Sequence, residues 1–488
     1  MVSTNKQPSF YAALMLLVAI FLVFFIGIGI LNYPVEFILI VITIITGFFA
    51  RYYGAGWKEI LQTFIEKIKD AVPAMLILLS IGMLIGCWMV SGTIPLMVYY
   101  GLEIINPAYL YLTAFLVTVC ISTFTGTSWG SAGTIGVALV AVAAAMNVSL
   151  PITAGAVISG AYFGDKLSPL SDTTNMAALA AGAELYQSIR NMLYTSVPAF
   201  LFACLGFYIA GLDLNVVNSI QLDTIPVMKK ALNSLFWLNP LLILPTLLVF
   251  IGAIKKWDTI IVLIASSFFA LAICAIFQPF TMMDLVQASI NGFNTNMISN
   301  FSDVAMNEST TKNINILLNR GGMYSMVSPI VVMLCAFMFA SALDVSGGLN
   351  VLLGRLVQKL KTVTSTLLAT MFTSSLLVAC TGNAVISFFL VKNIYDPCFK
   401  NKKLHMVNMS RSMESGATLL EGLFPWTISG MFMAKTLGVA TLDYAPWVLF
   451  NLSCLVMTVF FAILARWSNF GTRYEEPISA EQVPVLRG

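Results

Sequence analysis

Charged side chains are scarce in this sequence. Asp, Glu, Lys and Arg make up 10% of its 488 residues, whereas hydrophobic residues make up 59% and the mean hydropathy is +0.89. A soluble domain carries about 25% charged residues, so a soluble globular protein is excluded. Apolar runs of roughly 17–25 residues, long enough to cross a bilayer, recur along the chain. They lack the period-two alternation of a membrane β-barrel. The composition therefore predicts an all-α polytopic membrane protein.

The residues that build many catalytic and metal centres are also few or poorly spaced. His405 is the single histidine, and the eight cysteines show no CxxC or metal-ligand spacing. No GxxxxGK sequence followed by Ser or Thr occurs, which argues against direct coupling to ATP. We therefore expect no enzymatic activity, no cofactor and no nucleic-acid partner. His405 lies in a lysine-rich loop, where a solvated residue is favoured over a pH sensor.

The apolar runs indicate about 12–14 transmembrane helices, from a first span at residues 10–31 to a last one at 446–466. Segments 94–106 and 347–361 are candidate interfacial or re-entrant helices. Lysine and arginine are enriched in cytoplasmic loops. With both termini in the cytoplasm, nearly all basic loops fall on that side, and Lys229-Lys230 is the exception.

An internal repeat is indicated by identical residues 256 positions apart. Gly126 lies 39 positions before Asp165, and Gly382 lies 39 positions before Glu421. The same offset matches further residues, among them Ser131 with Ser387, residues 159–161 with 415–417, and Pro169 with Pro425. Loop 147–151 is uncharged, whereas its counterpart 403–407 lies in a lysine-rich run. Loops on opposite sides of the membrane would make the two repeats inverted, a common plan for transporters.

The repeat divides the chain into five parts. Residues 1–70 form an N-terminal helical hairpin and a cytoplasmic loop, and residues 71–211 form the first repeat. Residues 212–323 form connecting helices and loops. Residues 324–466 form the second repeat, and residues 467–488 form a cytoplasmic tail. The repeats carry the transport motifs, and we expect broken helices or re-entrant hairpins within them.

The first acidic motif, SGAYFGDKLSPLSDTTN, spans residues 159–175. Pro169 disrupts the helical turn before it, which leaves polar backbone groups that need protein, water or an ion as partners. Asp165, Asp172 and Asn175 add side-chain oxygens. Acids within a membrane cost about 2.5–3.5 kcal/mol on insertion scales and are functional candidates by default. The alternatives are a structural Asp165–Lys166 ion pair and a loop position for Asp172.

The second acidic motif, NMSRSMESGATLLEGLFPWTISG, spans residues 408–430. Glu414 and Glu421 are seven residues apart and share a helix face. Arg411 precedes Glu414 by three residues, a spacing that allows the two to pair. We therefore expect Glu414 to be partly structural. Glu421 precedes Pro425 as Asp165 precedes Pro169, and it is the stronger functional candidate.

Two Thr-Gly segments resemble breaks between short helices. The first, residues 123–134, is rich in Thr, Ser and Gly, and the second spans residues 380–387. Neutral oxygens for an ion are available from Thr125, Ser128, Thr381, Asn383 and Ser387. The alternative is that these small residues only allow close helix packing. For Trp129, packing is favoured over a place in a cavity wall.

Three segments resemble the NhaC family of sodium/proton antiporters: TGTSWGSAGTIGVAL at 125–139, GAVISGAYFGDKLSPLSDTTN at 155–175 and SMESGATLLEGLFPW at 412–426. The resemblance implies a secondary transporter in a bacterial cytoplasmic membrane, with inverted repeats, hairpins and a homodimer. Some family members exchange sodium and protons alone, and others resemble exchangers of malate and lactate. In the second case Lys166 and Arg411 are candidate contacts for a carboxylate.

The expected function is sodium/proton antiport by alternating access. A buried carboxylate can bind either a proton or a sodium ion, and this competition couples the two fluxes. Asp165, Asp172 and Glu421 are the candidate sodium ligands, and Na⁺ and H⁺ are the transported species. The alternative is Na⁺- or H⁺-coupled exchange of an organic carboxylate or amino acid. Membrane lipids surround the protein in either case.

Overall fold

The computed structural model describes residues 7–475 except 32, 213–223, 299–313 and 316. The final thirteen residues of the expected tail and parts of the expected connecting region therefore lie outside the described residues. The first half comprises nine helices: α1 Phe10–Ile30, α2 Val35–Tyr52, α3 Trp57–Val90, α4 Thr93–Ile104, α5 Leu110–Thr125, α6 Ser128–Ala145, α7 Leu150–Leu167, α8 Asp172–Ala181 and α9 Leu185–Leu212.

In the described part of the connecting region, the longer helices are α10 Thr224–Leu235, α11 Leu244–Ile254, α12 Thr259–Phe277 and α13 Met282–Asn291. The second half begins with α14 Val327–Val345, α15 Gly348–Gln358, α16 Val363–Thr381 and α17 Ala384–Asn401. Helix α18 starts as Val407–Met413, widens into a π-helical turn at Glu414–Thr418 and ends as Leu419–Glu421. Helices α19 Ile428–Leu437 and α20 Leu449–Leu464 complete the described fold, with a short helical turn, Thr441–Trp447, between them.

Nine helices of the described residues are long and apolar enough to cross a membrane, or up to eleven if two bent pairs each count as one span. This confirms the predicted polytopic helical architecture. The predicted number, about 12–14, is larger because it includes segments 152–180, 384–395 and 408–437. In the structure, 152–180 and 408–437 are interrupted, and 384–395 belongs to α17, which carries Lys392, Asp396 and Lys400.

Glycines allow α5 and α7 to pack with their backbones close together. A Cβ atom at Gly160 would lie 2.5 Å from the carbonyl oxygen of Phe115, and one at Gly164 would lie 2.4 Å from the amide nitrogen of Thr123. Ser122 on α5 donates a 2.6 Å hydrogen bond to the Ala161 carbonyl on α7. Small residues permit this approach inside a membrane. The contact holds the acidic end of α7 against α5.

The 256-residue offset extends to the backbone conformation of the two halves. Positive φ angles recur at Gly126 and Gly382 (69° and 72°), at Asn147 and Lys403 (55° and 51°), and at Gly182 and Gly438 (75° and 70°). Helices α8 and α19 have the same length and lie one offset apart. The glycine at position 416 packs on the Met371 carbonyl as Gly160 packs on that of Phe115. The inverted orientation of the halves remains a prediction.

Candidate functional site

A cavity of about 530 Å³ lies beside the first acidic motif. Its wall includes both predicted acids of that motif, the Thr-Gly segment before α6, and residues from α3, α11, α12 and the loop between α11 and α12. The lining residues are Ile77, Ile81, 125–130, Asp165, Pro169, Leu170, Asp172, Thr173, Asn175, Ala253, Lys256, Trp257, Thr259 and Leu263. We call this space the acid cavity. It brings together five predicted site residues, Thr125, Ser128, Asp165, Asp172 and Asn175.

Asp165 lies in the last turn of α7 and is only 4% exposed. The side chains of Ser171 and Ser128 and the backbone N–H of Ser128 lie near its carboxylate. Ser128 begins α6, and the Thr127 side chain caps that helix by accepting from the Gly130 N–H at 3.2 Å. A helix N-terminus carries partial positive charge and favours a negative group. Dipoles of the helix terminus and of hydroxyl groups therefore surround this acid, and none of the ion pairs among the described residues includes it.

Glu421 occupies the equivalent environment in the second half. It is 7% exposed, and the Ser429 side chain and the backbone N–H of Ala384 lie near its carboxylate. Ala384 begins α17, whose N-cap Asn383 accepts from the Val385 N–H at 2.8 Å. The offset of 256 links Ser128 to Ala384 as well as Asp165 to Glu421. Each acid therefore faces the N-terminus of the helix after a Thr-Gly break, but Glu421 does not line the acid cavity.

At each Thr-Gly break, the hydroxyl groups of one threonine and one serine lie within hydrogen-bonding distance of each other. Thr125 and Ser131 lie 3.3 Å apart, and Thr381 and Ser387 also lie 3.3 Å apart. These hydrogen bonds join the end of one helix to the first turns of the next. Of these residues, only Thr125 lines the acid cavity. The structure thus places Asn383 and Ser387 at the second break and not in this cavity.

The loop after Pro169 is held by its own polar side chains. The Asn175 amide donates to the carbonyl oxygens of Pro169 at 3.0 Å and Ser171 at 2.6 Å. Ser171 caps α8, which begins at Asp172. The Thr174 hydroxyl donates to the Lys166 carbonyl at 3.2 Å. These bonds supply partners for backbone groups that the break leaves open, and they hold Asp172 near Asp165.

Lys166 turns away from the acid cavity and toward the second half. It is 1% exposed and donates a 3.1 Å hydrogen bond to the Ser415 hydroxyl. It also interacts electrostatically with the fully buried Glu414, whose carboxylate oxygens have no hydrogen-bond partner in the structure. None of the ion pairs among the described residues joins Lys166 to Asp165. The alternative of a structural Asp165–Lys166 pair is therefore not supported.

The predicted pairing of Arg411 with Glu414 is wrong. Arg411 is buried, and its Nη1 donates a 2.6 Å hydrogen bond to the Gly471 carbonyl. The charged groups that act on Glu414 are Lys166 and Asp165. The three-residue spacing allowed a pair along the helix, but the segment after α20 folds back and offers Arg411 a carbonyl oxygen instead.

Trp129 connects the acid cavity to the second half, a role that sequence reasoning placed below simple packing. Its Nε1 donates to the Ser429 hydroxyl at 3.1 Å, and its ring stacks on Phe432 with centroids 4.7 Å apart. Ser429 is also the residue beside Glu421.

Sequence reasoning missed Lys256 and Trp257 altogether. They come from a distant loop, and no spacing along the chain relates them to Asp165.

Electrostatic interactions link the acids to one another. Asp172 acts on Asp165, and both Asp165 and Glu414 act on Glu421. A cation bound at one acid therefore changes the electrostatic potential at its neighbours. Among the described residues, no three His, Cys, Asp or Glu side chains are grouped so as to hold a metal ion.

Comparison with known proteins identifies the family. The profile of the Na⁺/H⁺ antiporter family matches residues 160–466. The chain belongs to this family. It is 38% identical to an uncharacterized Na⁺/H⁺ antiporter of Haemophilus influenzae, over 96% of this chain and 97% of the relative. It is 34% identical to the Na⁺/H⁺ antiporter NhaC of Alkalihalophilus pseudofirmus, over 87% and 89% of the two chains. This confirms the resemblance to NhaC.

A third relative is named for a different activity. The malate-2H⁺/Na⁺-lactate antiporter of Bacillus subtilis is 30% identical over 90% of this chain and 91% of its own length. These relatives are antiporters rather than enzymes, and this NhaC-type chain is a multi-pass membrane transporter.

Proposed function

We propose that this protein exchanges Na⁺ for H⁺ across a bacterial cytoplasmic membrane by alternating access. The observation that carries the proposal is the position of Asp165, a buried carboxylate that borders a cavity of about 530 Å³ with a second acid, Asp172, beside it. Oxygen ligands from Ser128 and Thr125 line the same space. Carboxylate and hydroxyl oxygens suit a small hard cation, and the same carboxylate binds a proton when the cation leaves.

The two halves support an alternating mechanism because their acids differ in access. Asp165 lines the acid cavity, whereas Glu421 has a similar helix-terminal environment but does not line this cavity, and Trp129 of the cavity wall bonds to Ser429 near Glu421. We infer that the cavity exposes one site at a time, with ion binding and protonation favouring different conformations. A ligand shifts such an equilibrium only by its differential affinity for the two states. Both termini are expected in the cytoplasm, and a homodimer is expected from the family resemblance.

The test compares Asp165→Asn with Glu103→Gln in proteoliposomes. Asp165→Asn keeps the shape of the side chain but removes the charge, so we expect Na⁺-driven proton flux to be abolished, because intramembrane acids mark ion pathways. Glu103 is a surface acid paired with Lys229 at 3.3 Å, and its variant is expected to retain flux. Size-exclusion profiles establish that both variants fold. Normal flux in folded Asp165→Asn protein removes Asp165 from the mechanism.

A second candidate function is coupled exchange of an organic carboxylate. The acid cavity is far larger than one sodium ion needs, and Lys256 lines it beside the acids. The relative named for malate and lactate exchange supports this candidate. Neither Lys166 nor Arg411 lines this cavity, so Lys256 is the better placed carboxylate contact here. Counterflow of labelled malate or lactate in proteoliposomes tests it, and flux that depends on salt alone would reject it.

A further inference from the structure

Helices α8 and α19 begin in the same way in the two halves. Each contains ten residues, and they lie 256 positions apart. The hydroxyl group of Ser171 caps α8 and that of Thr427 caps α19, each by accepting from a backbone N–H at 3.2 Å. The Ser171 side chain lies near the Asp165 carboxylate, and Thr427 donates to the backbone carbonyl of Glu421. Each short helix therefore begins beside one of the two equivalent acids.

The opposite end of each short helix is bound by a basic side chain from another part of the chain. The Lys392 ammonium group donates to the carbonyl oxygen of Ala181, the last residue of α8, at 3.0 Å. Arg320 Nη1 donates to the carbonyl oxygen of Leu437, the last residue of α19, at 3.3 Å. The last carbonyl groups of a helix lack partners within it and carry partial negative charge, so a cation stabilises them. The two halves thus share this contact, although different elements supply the cation.

Lys392 is held in place by a second contact. It also donates to Asp396, one helical turn further along α17, and Asp396 pairs with Lys400 at 2.7 Å. A Cβ atom at Gly182 would lie 3.8 Å from the Lys392 ammonium nitrogen, so the turn after α8 packs against this side chain. Lys400 shares the Asp396 carboxylate, but no hydrogen bond between described residues joins Lys400 to α8. The two lysines therefore differ in their contact with α8.

Helix α17 relates this contact to the second acid. It begins at Ala384, whose backbone N–H lies near the Glu421 carboxylate. Lys392 lies eight residues, or about 12 Å, further along the same helix. The hydrogen bond from Lys392 to Ala181 therefore joins the helix that begins beside Asp165 to the helix that begins beside Glu421.

We propose that Lys392 is a positioning residue for cation binding at Asp165. Its hydrogen bond to Ala181 fixes the orientation of α8, and with it Ser171 and Asp172 at the start of that helix. Because Lys392 belongs to the second half, the geometry of this acidic site depends on the position of α17. Lys392 does not line the acid cavity, so it acts through α8 and not by contact with the ion. The inference rests on the proposed function, since it concerns how the ion site is held.

The test measures Na⁺-driven proton flux in proteoliposomes at a series of Na⁺ concentrations for Lys392→Gln and Lys400→Gln. Each substitution takes one lysine from Asp396, but only Lys392→Gln also removes the hydrogen bond to Ala181. Loss of a cation at a helix C-terminus corresponds to about a threefold change in an equilibrium constant. We therefore expect Lys392→Gln to raise the Na⁺ concentration for half-maximal flux about threefold and to retain the maximal flux. Lys400→Gln leaves both quantities unchanged.

Two further measurements separate positioning from a purely structural role. Lys392→Arg keeps a cationic donor for α8, so we expect it to retain the Na⁺ dependence of the unsubstituted protein; a shift like that of Lys392→Gln would contradict the assignment. Hydrogen–deuterium exchange of the purified full-length protein reports on α8 without requiring transport. We expect Na⁺ to slow exchange in residues 171–181, and Lys392→Gln to need about three times more Na⁺ than Lys400→Gln for the same protection.

The outcomes distinguish this inference from the proposed function. If Asp165→Asn abolishes flux but Lys392→Gln and Lys400→Gln reach half-maximal flux at the same Na⁺ concentration, Lys392 is not a positioning residue. A lower unfolding temperature for Lys392→Gln with an unchanged Na⁺ dependence shows a structural role alone and also overturns the inference. Normal flux in folded Asp165→Asn protein instead removes the proposed function on which the inference rests.

Discussion

Replacing Gly164 by alanine tests whether the close contact of α5 with α7 positions Asp165. An added Cβ atom would lie 2.4 Å from the Thr123 amide nitrogen and 2.5 Å from the Ser122 Cβ atom, whereas ordinary contacts begin near 3.4 Å. The helices must therefore separate by about 1 Å. Gly164 directly precedes Asp165, so the carboxylate moves with the backbone. The hydroxyl and amide groups of Ser128 would then no longer match it.

The size of the effect follows from three contributions. Overpacking costs about 1–3 kcal/mol, and loss of the 2.6 Å Ser122–Ala161 hydrogen bond costs about 0.5–1.5 kcal/mol. Alanine in a helix returns about 0.5–1 kcal/mol relative to glycine. We expect a net loss on the order of 1–3 kcal/mol. The apparent Na⁺ affinity falls as well, because the acid is displaced from its donors.

The matched control is Gly354→Ala, a helical glycine with no atom within 4 Å of an added Cβ. The same substitution there is expected to be neutral or slightly stabilising. Thermal unfolding and the Na⁺ dependence of proton flux are measured for both variants. If Gly164→Ala matches Gly354→Ala in both measurements, the contact does not position the acid, and the argument from helix packing is refuted.

Two further predictions concern Trp129 and His405. Trp129→Phe keeps the stack on Phe432 but removes the 3.1 Å hydrogen bond to Ser429, which is worth about 0.5–1.5 kcal/mol. We expect this variant to fold and to show a several-fold change in the Na⁺ concentration that gives half-maximal proton flux. Adding Ser429→Ala to Trp129→Phe should change that concentration little further, because both substitutions remove the same hydrogen bond. Burial and the nearby Arg473 lower the pKa of His405 below its usual value, although Glu475 acts the other way. The unfolded chain therefore binds this proton more readily, so stability decreases as the pH falls below about 6.5 and levels off below the folded-state pKa. His405→Gln should flatten that part of a thermal-unfolding pH profile, and an unchanged profile would contradict the assignment.

Local sequence chemistry predicted where the helices near the candidate site are interrupted. Pro169 and the glycines of the Thr-Gly segments mark where helices end, because a proline removes a donor and a glycine accepts a positive φ. The matching φ angles of Gly126 and Gly382 follow directly from this. The same signals placed Asp165 and Glu421 at equivalent positions, each near the start of another helix.

Partners from distant parts of the chain were not predictable in this way. Arg411 was paired with Glu414 by helical spacing, yet it bonds to Gly471, 60 residues away. Lys166 was considered for Asp165, yet it reaches Ser415 in the other half. A side chain several bonds long can reach several neighbours, and packing selects among them.

By itself, the sequence determined that this chain is a helical membrane protein and which segments are interrupted, because a bilayer demands apolar spans and every break in a span needs proline, glycine or polar side chains. The sequence also indicated Asp165, Asp172 and Glu421 as the candidate ion-binding acids. The tertiary structure decided which of them border an open space: Lys256 and Trp257 join Asp165 there, whereas Glu421 does not line this cavity. Whether a residue borders a cavity depends on how several helices pack together. The spacing of residues along the sequence does not determine that packing.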